Sequence, residues 1–468
     1  MSELLERITE SLRGWGTHPV LVELQSSGAT VPLIAPDLLR LLDDTVGVLR
    51  RAGVRRDDVV ALFPANSIDY VTLILALFEI GAVPVFAKPE YRRTELNTLF
   101  RDVDPDAVIA EAALLPVMEE FLPGRGVICR DAPPAGGLRS LTSVSRHHAE
   151  PGLSEWARSI NCTYRGEGEL LGSIVTDTQY LHGARVLQRG LQGVPGESML
   201  YPIPLSHIFT LVGCLFVPML TGMTGVLAAT IHPRVLFEAF RRLRINHVTA
   251  VPEIYRLLLR SRKEPLEFPE LRSFVSGGSV LLPGEFEELS QAFSLEVLHG
   301  YGLTEFTPVS RNCRGAARPG TVGPVCDGLE VRVADPDAEG RGEILLRGTA
   351  ISAGYYNRPG ETRRAFRDGW FHTGDRGHFH GEHLVFDGEI KQTRKVNGVM
   401  VDLREIRSAV LAATVASDVR VVFEDNGITA LLEMPESADI DIEEKHLRQV
   451  LEHQIARYKV PRRIARIS

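Results

Sequence analysis

Lysine is missing from a long middle stretch of the chain, with none between Lys88 and Lys263. A loop that grips the outer phosphates of a nucleotide needs glycines for close backbone approach, hydroxyls that donate hydrogen bonds, and a lysine that neutralises charge. The segment NCTYRGEGELLGSIVTDTQYL, 161–181, begins and ends like such a loop, yet its interior from Arg165 to Gly172 holds no Ser, Thr or Lys. Gly166, Gly168 and Gly172 remain, while Glu167 and Glu169 put carboxylates where phosphate charge would sit. Like charges repel strongly in a poorly screened site. The sequence therefore predicts a loop unable to hold a triphosphate.

Other shortages narrow the class. The five cysteines, Cys129, Cys162, Cys214, Cys313 and Cys326, are odd in number and lack close pairs, which suits reduced thiols rather than a disulfide framework or a zinc site. Basic charge is not in excess: the net charge of -8 argues against a broad nucleic-acid surface but leaves room for a local basic site. The opening MSELLERITESLRG carries acids and no apolar core, so no export signal is expected and a cytoplasmic location is the reading. No long apolar run is unbroken. Ile208 to Ala229 is uncharged, but Pro218 and several glycines interrupt it and no aromatic or basic anchors flank it. It reads as a buried helix followed by a buried strand, not a membrane span.

What is present points to α/β winding. With 468 residues, 44% of them hydrophobic and 24% charged, the chain has length for two or more domains with cores of their own. From Pro36 to Ala112 helical spacing (DLLRLLDDTVGVLRRAG, SIDYVTLILALFEIGA) alternates with short apolar strands (VVALF, VPVFA), the pattern of a parallel sheet. It recurs through VLFEAFRRLRINHVTAVP and FVSGGSVLLPGEFEELSQAFSLEVLHGYG. After Thr321 short strands and turns predict a β-rich body, and from Asp402 a compact α+β tail follows.

Three stretches in this order, HGYGLTEFTP at His299, GYYNRPGETRRAFRDGWFHTGDRG at Gly354 and RKVNGVMVDLREI at Arg394, resemble the adenylate-forming superfamily of acyl-CoA synthetases, luciferases and peptide-synthetase adenylation domains. The resemblance runs from about Leu42 to the C-terminus. It implies an α/β fold: a large N-terminal domain, 1–388, of two αβαβα-type layers plus a distorted β-barrel, and a small mobile α+β domain, 389–468, on a hinge near Lys391. It also implies a two-step reaction, in which a carboxylate and ATP form an acyl-adenylate and a thiol, usually of CoA, then displaces AMP.

For the adenylate, the resemblance places Asp375 on the ribose, Tyr301 against adenine, Thr304 on the phosphate and Glu305 near a magnesium ion, a metal role it leaves open. Gly278, Ser279 and Val280, with Gly300 and Gly302, border the same ligand. Small glycines there let a ligand lie against backbone. His207, Val251, Pro252, Ser276 and Gly277 would line the acyl pocket. Lys395, Asn397 and Gly398, in KVNG, would border the thiol path. Two departures fall on the first half-reaction. The phosphate loop has lost its hydroxyls and lysine, and the chain stops before the Pro-x-x-x-Gly-Lys segment that carries the family's second catalytic lysine; Lys459 belongs to the lead-in only. Glu389 is a third, standing where the family usually has Arg. His378, His380 and His383 have metal-like spacing but read as an exposed hairpin, with no metal site expected.

The leading expectation is thus an enzyme of thioesterification, a non-adenylating acyl-CoA ligase. Its substrates would be an acyl-adenylate and CoA, its product AMP, and its adenylate would come from a separate adenylating enzyme, as in secondary metabolism. The alternatives are a conventional ATP-dependent acyl-CoA or acyl-carrier ligase, with Arg165, Arg462 or Arg463 replacing a lysine, and a catalytically silent nucleotide-binding sensor or scaffold.

Overall fold

The computed structural model describes residues 2–63, 65–130, 138–145, 147–148, 150–165, 168–262, 267–390, 393–396, 398–424, 427–434 and 438–467. The predicted alternation is realised. In the helix Ala35–Arg51, Leu38, Leu42, Val46 and Leu49 recur on one face and are buried, the spacing expected of an amphipathic helix. The next helix, Ile68–Ile80, starts where the Ser67 side chain accepts from the Tyr70 amide and stops at Gly81, whose φ of 81° is left-handed. Such residues are usual at helix starts and ends because they satisfy orphan backbone groups or tolerate positive φ.

Among the described residues these units form two large sheets. The seven-stranded sheet has Val59–Leu62 and Val83–Phe86 at its centre and ends in the antiparallel pair Ser159–Tyr164 and Leu170–Val175. The eight-stranded sheet has Thr224–Ala228, Ser198–Tyr201, His247–Ala250, Ser273–Ser276 and Glu296–Tyr301 in parallel succession. A five-stranded antiparallel sheet spans Leu329–Glu389 and is the predicted β-rich body.

The apolar run after His207 is a helix that passes through a π-helical stretch, Leu211–Phe216, and ends at Thr221 before the strand Thr224–Ala228. Its residues Leu211 to Met219 are all buried. No helix among the described residues is long and apolar enough to cross a membrane. His380 and His383 face each other across the turn of the hairpin Trp370–Glu389, and His378 is paired with Asp387 at 2.7 Å.

The smaller C-terminal domain contains the hairpin Thr393–Val396/Val399–Asp402, the helices Leu403–Ala413 and Ile440–Gln454, and a three-stranded sheet ending in Arg463–Arg466. It has its own apolar core around Val401, Ile406, Leu432, Leu447 and Leu451.

Candidate active site

Parallel strands direct their carboxyl ends at one crevice, where open α/β sheets bind ligands. Ala250, Ser276 and Tyr301 are the last residues of three neighbouring strands, and the loops that follow carry Val251, Gly277–Val280 and Gly302–Glu305. The crevice holds two adjoining cavities. One, of about 80 Å³, is largely apolar and is lined by Leu187, Phe209, Val275, Leu298 and Leu303, together with His207, Ser276 and Gly277. The other, of about 810 Å³, is lined by Ser279, Val280, His299, Phe386 and Arg394. Gly278, Gly300, Tyr301, Gly302 and Lys395 border both.

Most of the predicted residues therefore meet. Thr304, Glu305 and Gly398 line the smaller cavity as well. The Tyr301 hydroxyl donates to Asp375 Oδ2 at 2.7 Å, and both residues are buried. Ser279 Oγ donates to Glu253 at 2.7 Å. Val251 and Pro252 are in neither lining; Val251 instead wedges between Gly278 and Gly398, and Pro252 begins the helix Pro252–Ser261. Lys391 and Asn397, the hinge and one proposed thiol-path residue, lie outside the described residues, as do Gly166 and Glu167 of the loop. Glu389 faces Asp375 across the hairpin and accepts from the Thr393 hydroxyl at 2.9 Å.

Neither histidine of the crevice is a cation at neutral pH. Burial, then the positive charges of Lys88 and Lys395, press His207 down to about 3. Burial likewise lowers His299 to about 4, with Lys395 adding to the effect. His207 accepts the Phe209 amide on Nδ1 at 3.3 Å and so starts the helix behind it. Lys88 is itself lowered to about 8, chiefly by burial.

The loop in question has become a short hairpin, Tyr164 pairing with Leu170. Among its described residues, the two side-chain charges and the Gly168 amide are engaged. The Gly168 amide donates to Asp402 of the small domain at 2.8 Å. Glu169 accepts from Arg358 at 2.6 Å. Arg165 turns inward over the Phe371 ring, its centroid 5.0 Å away, and donates to the His372 carbonyl at 2.6 Å and to the Tyr355 hydroxyl at 3.3 Å. Tyr355 in turn donates to Glu305.

That chain of contacts tests the fit of a magnesium ion. Glu305, 3% exposed, already accepts from Tyr355 and feels the Arg165 charge. A carboxylate so covered and so neutralised does not suit a hard divalent cation, which demands several open oxygen ligands. No step is assigned to the metal.

The small domain is anchored by a buried ionic cluster. Lys459 Nζ reaches Glu95 Oε1 at 2.7 Å, Glu405 Oε2 at 2.6 Å and the Tyr164 hydroxyl at 2.7 Å, and Lys459 and Glu95 are fully buried. Glu95 and Tyr164 come from the large domain, Glu405 and Lys459 from the small one. The Ala456 amide also donates to Glu95 at 3.0 Å. In this arrangement Lys395, Gly398 and Met400 close over the smaller cavity.

Sequence reasoning missed Tyr164, Arg311, Met400 and the Lys459 cluster. A signal existed for the last, since Glu, Lys and Arg are almost never fully buried unless paired, but pairing over such separations is invisible along a chain.

The AMP-binding enzyme family matches residues 36–155 and 172–356, and the chain belongs to that family, of the adenylate-forming, acyl-CoA ligase type. The matched segments leave out 156–171, the stretch with the altered loop. Particular relatives agree: 4-coumarate–CoA ligase 1 of Arabidopsis thaliana is 26% identical, over 87% of this chain and 80% of its own. The amide bond synthetase McbA of Marinactinospora thermotolerans shares the fold with a TM-score of 0.82 at 22% identity, covering 99% of this chain and 95% of its own. A double mutant of the o-succinylbenzoate CoA synthetase MenE of Bacillus subtilis, bound with a product analogue, has a TM-score of 0.81 at 18% identity, over 98% and 94%.

Proposed function

We propose that this protein is a non-adenylating acyl-CoA ligase, which takes a preformed acyl-adenylate and transfers its acyl group to CoA. The observation that carries this reading is the fate of the loop: its Gly168 amide, Glu169 carboxylate and Arg165 guanidinium are engaged by Asp402, Arg358 and the Tyr355–His372 region. Little remains there to grip a triphosphate. A finished adenylate has lost its pyrophosphate and needs no such grip.

In this reading Tyr301 and the Gly278–Val280 turn hold adenine, Asp375 takes the ribose, and Thr304 faces the phosphate. His207, Ser276 and Gly277 flank the acyl group. The thiol arrives past Lys395 and Gly398, the domain boundary falls near 389, and Lys391 is the hinge. The thiol sulfur bonds to the acyl carbon, the carbon–oxygen bond to phosphate breaks, and AMP leaves with the electron pair while the thiol proton passes to water. Positioning of the thiol supplies most of the rate, as in other reactions of held neighbours. A separate enzyme makes the adenylate.

The conventional ATP-dependent alternative asks Arg165, Arg462 or Arg463 to serve as a phosphate cation. Arg165 is committed inward, and Arg462 and Arg463 are exposed on the small domain.

The test supplies synthetic acyl-adenylates and CoA without ATP, and the expected result is thioester and AMP. EDTA is expected to leave the rate unchanged, because Glu305 is buried and already accepts from Tyr355. Pyrophosphate release from ATP and a free acid, with no partner enzyme, would overturn the reading. So would tight binding of an adenylate mimic with no thioester from any adenylate, the mark of a sensor.

A further inference from the structure

The smaller cavity is apolar along most of its wall but contains one arginine. Arg311, at the end of the strand Ser310–Arg311, lines it beside Leu187, Gly190 and Leu191 of the helix Asp177–Leu191. Its hydrogen bonds are meagre. Nη1 reaches only the Cys313 sulfur at 3.4 Å, Cys326 is its other side-chain neighbour, and Nε is buried without a partner among the described residues. No carboxylate among the described residues lies within ion-pair distance. Arg311 is half-buried; a guanidinium keeps its charge at any ordinary pH, and a partly desolvated charge without a counterion is costly.

The surroundings make room for this group. A Cβ added at Gly190 would fall 0.8 Å from Nη1 of Arg311. The guanidinium thus occupies the space of a missing side chain on the helix, and glycine there is a condition of its placement. Thiols are weak partners, so the fork keeps donor capacity on the cavity side. The one acid among the described lining residues, Glu305, is taken by Tyr355.

We propose that Arg311 anchors the far end of the acyl group, and that this end carries a second carboxylate, so that the substrate is the monoadenylate of a dicarboxylic acid. The inference rests on the reading that this cavity takes the acyl group. A planar fork matches a carboxylate with paired, charge-assisted hydrogen bonds. A site built to make such bonds rejects an analogue that lacks the acceptor, because its own polar group is left unpaired. A plain apolar acid would strand Arg311.

The experiment uses the full chain and non-hydrolysable acyl sulfamoyladenosines: succinyl, glutaryl and adipyl mimics against butanoyl, pentanoyl and hexanoyl twins, with binding measured by calorimetry. At least one diacid mimic is expected to bind about 30-fold or more tightly than its methyl-ended twin. Arg311→Met should abolish that preference while still binding the twin, and Arg311→Lys should keep part of it. Gly190→Ala, which displaces the guanidinium, should mimic Arg311→Met, so the inference stays testable if the latter fails to fold. It is overturned if no diacid mimic is preferred, or if the preference survives in Arg311→Met. Binding needs no CoA and no turnover. A diacid preference with no thioester from the matching adenylate would sink the transfer reading alone, and equal transfer from diacid and methyl-ended adenylates would sink the Arg311 inference alone.

Discussion

Lys459→Met is expected to release the small domain and to destabilise the protein by about 3–5 kcal/mol, the usual cost of removing one partner from a buried ion pair. The substitution strands Glu95 and Glu405, which are 0% and 4% exposed and share the single ammonium. Chemical unfolding would read the stability, and a fluorescence-transfer pair across the two domains would read the docking. Adding Glu405→Gln should restore part of both losses, since the neutral side chain has less need of the cation while Glu95 stays without it. Wild-type docking in Lys459→Met alone would show that the cluster does not hold the interface.

The same cluster sets a pH dependence. Burial pushes the Glu405 carboxyl up to about 7 from its ordinary 4.5; the nearby Glu95 charge adds to the rise, and Lys459 opposes it. A carboxyl with a higher value docked than undocked binds its proton more tightly in the docked state. Its contribution is complete below 4.5 and is lost as pH rises through about 7. Docking should therefore weaken from mildly acidic to neutral pH, and Glu405→Gln should flatten that part of the profile.

Substitution of Gly398 is expected to cost at least about 100-fold in acyl transfer, the penalty typical of a misplacement of about an ångström. Gly398 has a φ of 77°, and a Cβ there would lie 2.4 Å from Val251 Cγ1. Even Gly398→Ala must shift the hairpin, and Gly398→Trp should also fill the thiol path. Val251→Ala should recover part of the loss in Gly398→Ala but none in Gly398→Trp. Binding of AMP, which lacks the acyl group, should change little in either, because Asp375 and Tyr301 are untouched. Transfer at the parent rate by Gly398→Trp would mean that the thiol takes another route.

How far the sequence reached depends on whether each feature is local. Helix spacing in Ala35–Arg51 and the helix-then-strand reading of Ile208–Ala229 both arise from neighbours along the chain, and the structure keeps them. Ser276, Gly278 and Tyr301 were named only through the family resemblance; they meet because parallel winding gathers the carboxyl ends of strands at one edge. The loss of hydroxyls and lysine from the loop at Arg165–Gly172 was equally plain in the sequence. What that loop does instead was not, because Asp402, Arg358 and Tyr355 are brought to it only by packing. Val251 and Pro252 were read as pocket residues, but the turn after Ala250 lays Val251 against two glycines and starts a helix at Pro252. Lys459 was read only as part of the lead-in to a missing segment, and the two acids that close on it, one from each domain, come together only in space. The chain by itself determined the elements and the chemistry missing from one loop, because these follow from periodicity, backbone limits and residue type. The tertiary structure decided which charges are buried together and which cavity wall receives Arg311, because Coulomb energy and desolvation depend on distance in space, to which separation along the chain is no guide.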